Sequence, residues 1–136
     1  MGGLKTYFAM LALLGAQIGA PTAWAGGGTA YQQFATCAGR LSAEIEHLWL
    51  LPGPDAQAHA GQIAKRQDQR DAMVQLMQAL PPAAKPQSGM AARLNAKFAH
   101  KALLTRATFN SNTRDARLAR TAAHRALTGC TALLLS

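Results

Sequence analysis

The chain has 136 residues, which is the length of one small domain rather than several. It is rich in Ala, Leu, Gln and Arg and poor in β-branched residues, a composition that argues against a β-sheet protein. The formal net charge is +8, so anionic partners are favoured over cationic ones.

The N-terminal residues have the features of a secretory signal peptide. Lys5 gives a positive charge, residues 7–18 form an apolar stretch, and the small residues Ala23 and Ala25 suit a signal peptidase. We therefore predict that residues 1–25 are removed and that residues 26–136 form the mature domain, in the periplasm or outside the cell. An uncleaved membrane anchor is the alternative, but a glutamine, a proline and several glycines interrupt the apolar stretch.

Export determines how the two cysteines, Cys37 and Cys130, are interpreted. Oxidising compartments favour disulfides, and the chain has no C-x-x-C sequence that would indicate thioredoxin-type chemistry or covalent haem attachment. Cys37 lies well past the apolar stretch, so lipid modification of this cysteine is not expected. We predict a structural disulfide between Cys37 and Cys130.

Four segments of the mature chain are long enough for helices. Breaks that separate them occur at residues 26–28, 51–54, 81–89 and 110–113. Thr29 with Gln32, and Asn112 with Asp115, have the spacing of helix N-terminal capping residues. The predicted helices span about 29–50, 55–80, 89–109 and 113–135.

Apolar residues recur at helical spacing within these segments. The faces predicted to pack are Phe34, Ala38, Leu41, Ile45 and Leu48 in the first segment, Leu94, Phe98, Ala102 and Phe109 in the third, and Ala116, Ala119, Ala123, Ala126, Cys130 and Leu133 in the fourth. The second segment is polar all round at residues 65–71, so it is expected to pack loosely. Short connections favour an all-α, up-down-up-down four-helix bundle, in which the first and last helices bring Cys37 and Cys130 to a similar height.

Candidate metal ligands are few. Glu44 and His47 form the Glu-x-x-His pattern of di-iron bundles, but the third segment has no acidic residue and the fourth has only Asp115. Weaker metal candidates are His47 with His59, and Met73 with Met77. Histidines at the surface and methionines in the core are the simpler interpretation, so no cofactor is predicted.

Catalytic patterns are also absent from the sequence. No serine lies in a recognisable nucleophile elbow, and acidic residues are scarce for a catalytic triad, so the protein is not expected to be an enzyme. Haem held by His or Met without covalent attachment stays open, and a small periplasmic copper or haem carrier is the alternative function.

The positive charge is concentrated in the last two predicted helices. Their charged residues sum to +7, whereas those of the first two helices sum to −1. An anionic-partner surface is predicted from Arg93, Lys97, Lys101, Arg117 and Arg120.

This distribution favours a periplasmic binding or adaptor protein that is not an integral membrane protein once the signal is removed. Its partner would be lipid head groups, lipopolysaccharide or an acidic protein. Nucleic acid is not expected, because the sequence has no recognition motif and the chain is exported. A solvated basic face that only keeps the protein soluble is the other interpretation.

Processing of the N-terminus can be tested directly. Intact-mass analysis of the exported protein should give a chain that begins at Gly26, since the small residues Ala23 and Ala25 fit the peptidase recognition positions. A mass that retains residues 1–25 would contradict the predicted cleavage.

Overall fold

The computed structural model describes residues 29–51, 53, 56–81, 84 and 87–135. The four helices within these ranges are α1 (Ala30–Leu50), α2 (Ala56–Ala79), α3 (Gly89–Phe109) and α4 (Thr113–Ala132). The described residues contain no β-strand, so the all-α class is confirmed, and the helix ends lie within three residues of those predicted. The predicted signal peptide and its cleavage site after Ala25 lie outside the described residues.

Two helix starts are capped. Helix α1 has the predicted capping box, whereas at α4 Asn112 acts alone, because its own backbone N donates to Asn110 Oδ1 and not to Asp115. At α1, Gln32 N donates to Thr29 Oγ1 at 3.3 Å, and Thr29 N donates to Gln32 Oε1 at 3.2 Å. At α4, Asn112 Oδ1 accepts from the backbone N of Arg114 and of Asp115. These bonds satisfy backbone donors that have no partner inside the first turn, and they set where each helix begins.

Helix α1 is the centre of the bundle. It packs extensively against α2 and α3, whereas its contact with α4 is short, and α4 packs mainly against α3. The α1–α3 pair is parallel, as two bonds show. Gln32 Nε2 donates to Ser88 Oγ at 2.9 Å near both helix starts, and His47 Nε2 lies 2.9 Å from Thr108 Oγ1 near both helix ends. The up-down-up-down bundle is therefore confirmed, with the parallel helix α3 as a principal neighbour of α1.

Helices α1 and α3 approach closely because α1 has small residues where they meet. At Gly39, a Cβ atom would overlap the carbonyl oxygen of Arg93 and would lie 3.1 Å from the backbone N of Lys97. Ala35 and Ala43, one turn before and one turn after Gly39, are both completely buried. The distance between two packed helices depends on the side chains at the contact, so this small-residue surface permits backbone contact.

The Cys37–Cys130 disulfide joins α1 to α4 inside the core, as predicted. The two Cα atoms are 5.3 Å apart and the cysteines are separated by 93 residues in sequence. Leu41, Met73 and Leu127 belong to the same buried cluster, so α2 also packs against the bridge. In the chain-entropy model, a loop of this size contributes about 4–5 kcal/mol to stability by constraining the unfolded chain.

The prediction for the packed face of α3 is wrong. Leu94, Phe98, Ala102 and Phe109 are exposed to solvent. The residues that α3 buries are Gly89, His100, Leu104 and Ala107. Because α3 has apolar residues on two sides, periodicity alone does not identify the side that faces the core. The backbone contact with Gly39 selects that side.

The close approach at Gly39 predicts the effect of adding one methyl group. Gly39→Ala should lower the free energy of unfolding by about 1–3 kcal/mol, the usual cost of overpacking, because the Arg93 carbonyl is fixed by its helix. Urea denaturation followed by circular dichroism measures this change.

Gly129 provides the matched control for that substitution. It lies within α4 and has open space around its Cβ position. Gly129→Ala should therefore raise stability by about 0.5–1 kcal/mol, through helix propensity alone. Equal effects of the two substitutions would contradict the role assigned to the α1–α3 contact.

Candidate anionic-partner surface and buried histidines

The outer face of α3 carries an uncovered apolar surface, which we call the α3 ridge. It consists of Met90, Leu94, Phe98 and Phe109, whose exposed fractions are 63%, 44%, 63% and 67%. The first three residues are spaced by four, so they follow one side of the helix, and Phe109 lies near the same side at its end. Met90, Leu94 and Phe98 place one exposed apolar residue on each successive turn, and uncovered apolar surface of this kind commonly marks an interaction site.

Basic residues border the α3 ridge on both sides. On the α1 side, Lys97 and Lys101 both pair with the Glu46 carboxylate, and Lys101 Nζ lies 3.6 Å from Oε2. On the α4 side, Arg106 is exposed and lines a groove together with Leu118 and the acidic residue Asp115. The α3 ridge therefore lies between cationic side chains.

Glu46 reduces the positive charge on the α1 side of the α3 ridge. The hydrogen bond from Lys97, assisted by the charges of Lys97 and Lys101, lowers the pKa of the Glu46 carboxyl below its usual value. Glu46 is then ionised at neutral pH and offsets one of the two lysine charges. Because these side chains are substantially exposed, the ion pairs add little to stability.

The five residues predicted as an anionic-partner surface have different surroundings. Arg93 is half-buried, and Lys97 and Lys101 share Glu46. On α4, Arg117 is exposed, and Arg120 Nη2 donates to the carbonyl oxygen of Ala107 at 3.2 Å.

The sequence interpretation missed the apolar part of this surface, because residues at helical spacing were assigned to the core. It also left out three exposed arginines of α3 and α4, namely Arg106, Arg114 and Arg125. Their charges were counted in the +7 of the two helices. They were left out of the predicted surface, which took only the α3 residues that are spaced by four and two arginines of α4. The exposed surface therefore combines apolar and basic residues, where only basic ones were predicted.

A buried histidine connects α1 to α3 beneath this surface. His100 is 2% exposed, and its Nε2 lies 3.2 Å from Glu44 Oε2. The Nδ1 atom of His100 is buried and has no hydrogen-bond partner within the described part of the chain. The two residues of the Glu-x-x-His pattern therefore contact different residues of α3. The Glu44 side chain bonds to His100, and the His47 side chain bonds to Thr108.

The environment of His47 favours its neutral form. Burial lowers the pKa of His47 below 6.5, and the nearby His100 lowers it further, while the negative charge of Glu44 acts in the opposite direction. Its ring also makes an edge contact with Phe109, at 6.4 Å between ring centroids. His47 therefore supports the end of α3 that carries Phe109.

The lowered pKa of His47 predicts a loss of stability in mild acid. Below pH 6.5 the unfolded chain binds a proton at His47 that the folded chain does not, so the free energy of unfolding should decrease between pH 7 and pH 5. Chemical denaturation at several pH values measures the slope, which should become smaller in His47→Gln. The control is His124→Gln, which changes an exposed histidine of α4. Equal slopes in the wild type and His47→Gln would contradict the prediction.

The weaker metal candidates are distributed over separate parts of the bundle. His47 bonds to Thr108, and His59 lines an apolar groove of about 510 Å³ between α1 and α2. Met73 is fully buried in the cluster that contains the disulfide, and Met77 is buried as well. Among the described residues, no group of three or more His, Cys, Asp or Glu side chains is arranged to hold a metal ion.

Within the described ranges, no helix is both long enough and apolar enough to cross a membrane. No protein-family model matches the chain, and neither the curated proteins nor the solved structures include a significant match.

Proposed function

We propose that the protein is an exported binding protein that attaches to anionic phospholipid surfaces through the α3 ridge. The observation that carries this proposal is a combination on one helix, in which uncovered Leu94 and Phe98 lie between the basic residues Lys101 and Arg106. Interfacial helices use the same combination, because apolar side chains enter the acyl boundary while Lys and Arg contact the head groups.

The shape of the α3 ridge favours a lipid surface over an acidic protein. Helix α3 has 21 residues, a length of about 30 Å, and the ridge extends from Met90 near its start to Phe109 at its end. A bilayer surface can contact such a convex ridge along its whole length. A protein partner would need a complementary groove of the same length.

Charge supplies the second contribution to binding. Helices α3 and α4 contain eight Lys and Arg residues and one acidic residue, Asp115. A basic residue near an anionic membrane contributes about 1 kcal/mol, and this attraction decays within roughly 8–10 Å at physiological ionic strength. The basic residues therefore attract the protein to the surface, and the apolar ridge holds it there.

In the part of the chain that the structure describes, no specific contact favours the copper or haem carrier that the sequence leaves as the alternative. Met73 packs with Leu41 and the disulfide in the core, and His47 uses its Nε2 atom for Thr108. The uncovered α3 ridge has no role in such a carrier, whereas lipid binding uses it directly.

Vesicle co-sedimentation tests the apolar part of the proposal. The protein should bind phosphatidylglycerol vesicles at low salt, bind less as salt increases, and bind phosphatidylcholine vesicles weakly. The double substitution Leu94→Ser with Phe98→Ser should weaken binding by about tenfold or more, because the inserted apolar area is lost. Leu76→Ser, which changes an exposed leucine of α2, is the control and should bind as the wild type does.

A second pair of variants distinguishes binding through the basic residues beside the α3 ridge from attraction by the net charge of the whole protein. Lys101→Gln with Arg106→Gln should weaken binding to phosphatidylglycerol, whereas Lys65→Gln with Arg70→Gln removes the same charge from α2 and should have little effect. Equal losses would show that net charge alone attracts the protein. Failure of the wild type to bind phosphatidylglycerol at low salt would overturn the proposal, and binding to lipopolysaccharide alone would reassign the ligand.

A further inference from the structure

Helix α2 leaves a cleft open on its α4 side. It packs mainly on α1, and between Ile63 and Met73 none of its residues is buried. The cleft has a volume of about 400 Å³ and is lined by Lys65 and Arg66 from α2 and by His124 and Thr128 from α4, among others. We call it the α2–α4 cleft. Its position follows from the polar sequence of α2, which offers few side chains that α4 could bury.

The α2–α4 cleft continues into the bundle. A deeper cavity of about 220 Å³ shares Arg66, His124 and Leu127 with it as lining residues. Leu104 and Ala123 form part of the apolar wall of this inner cavity. The two spaces together fall in the size range of ligand pockets, which is about 300–1,000 Å³.

The charged groups of these two cavities are mostly positive. Arg66 Nη1 donates to Gln69 Oε1 at 2.8 Å, and Arg120 donates to the carbonyl oxygen of Ala107, so both arginines have neutral partners. Within the described ranges, neither these arginines nor Lys65 forms a salt bridge with a carboxylate. The acidic residue of the inner cavity is Glu44, which bonds to His100.

We infer that the α2–α4 cleft binds a single-chain anionic amphiphile, with a carboxylate or phosphate head group and a hydrocarbon tail. The head group would meet Lys65, Arg66 and His124 at the mouth, where the arginine can offer two parallel hydrogen bonds. The tail would follow Leu127 towards Leu104. This inference does not depend on the α3 ridge, since the residues and the kind of ligand contact are different.

Two other ligand classes fit the cleft less well. A neutral lipid would cover Arg66 without giving it an anionic partner, which costs free energy because the charge loses water. A hydrophilic anion would leave the wall formed by Leu104, Ala123 and Leu127 in contact with water. An amphiphile satisfies both parts of the cleft.

Binding of a dansylated undecanoic acid tests the inference. Its fluorescence should increase on addition of the disulfide-bonded protein, at ligand concentrations below micelle formation. Dodecanoate or dodecyl phosphate should displace the probe, whereas dodecanol should do so poorly because it lacks the charge. The two anionic competitors distinguish a carboxylate from a phosphate ligand. The inference would be overturned if dodecanol displaced the probe as effectively as the two anions do. It would also be overturned if the fluorescence did not change when the protein was added.

Two substitutions locate the bound probe. Arg66→Gln should weaken binding by about tenfold or more, because the principal head-group contact is lost. Arg125→Gln is the control, because it removes the same charge from an exposed site outside both cavities. Thr128→Phe should block the mouth of the cleft without changing the core, since Thr128 is exposed. Circular dichroism verifies that each variant is folded.

The outcomes of these variants are distinct from those of the vesicle experiments. Wild-type affinity in both Arg66→Gln and Thr128→Phe would show that the probe binds elsewhere and would overturn the inference. Vesicle binding by Thr128→Phe should equal that of the wild type, so failure of the cleft and failure of the α3 ridge are separate results.

Discussion

The backbone contact between α1 and α3 at Gly39 determines the arrangement of the other parts of the bundle. With no side chain at Gly39, the carbonyl of Arg93 can lie directly against α1. That contact fixes the rotation of α3 about its axis, which turns Leu94 and Phe98 outward. The exposed apolar ridge is therefore a consequence of how the core is packed, and no separate local feature is needed to explain it.

Polar bonds determine the register of the same helix pair. Glu44 and His47 on α1 meet His100 and Thr108 on α3, and both histidines are largely removed from water. Buried polar groups are costly when they lose their partners, so a shift of α3 along α1 by one turn would leave these groups unsatisfied. Apolar contacts between alanines would tolerate such a shift more easily, and the polar pairs distinguish one register from its neighbours.

The features that sequence alone predicted are those encoded by nearby residues. Thr29 with Gln32 and Asn112 determine where α1 and α4 begin, and the two cysteines, with export predicted from the N-terminal residues, led to the predicted bridge. The side of α3 that faces the core was not predictable in this way. It depends on Gly39, a residue of a different helix, and His100 could be matched with Glu44 only after the two helices were placed side by side.

The separation in sequence between the contacting residues has a consequence for folding. Gln32 and Ser88 are 56 residues apart, His47 and Thr108 are 61 apart, and the cysteines are 93 apart. Helical bundles usually fold quickly because most of their contacts are local, and folding slows as the mean separation grows. Here the α1–α2 hairpin is made first but leaves the surface around Ala35, Gly39 and Ala43 without its partner. That surface is covered only after α3 has been synthesised, so the first half of the domain does not contain a complete core of its own.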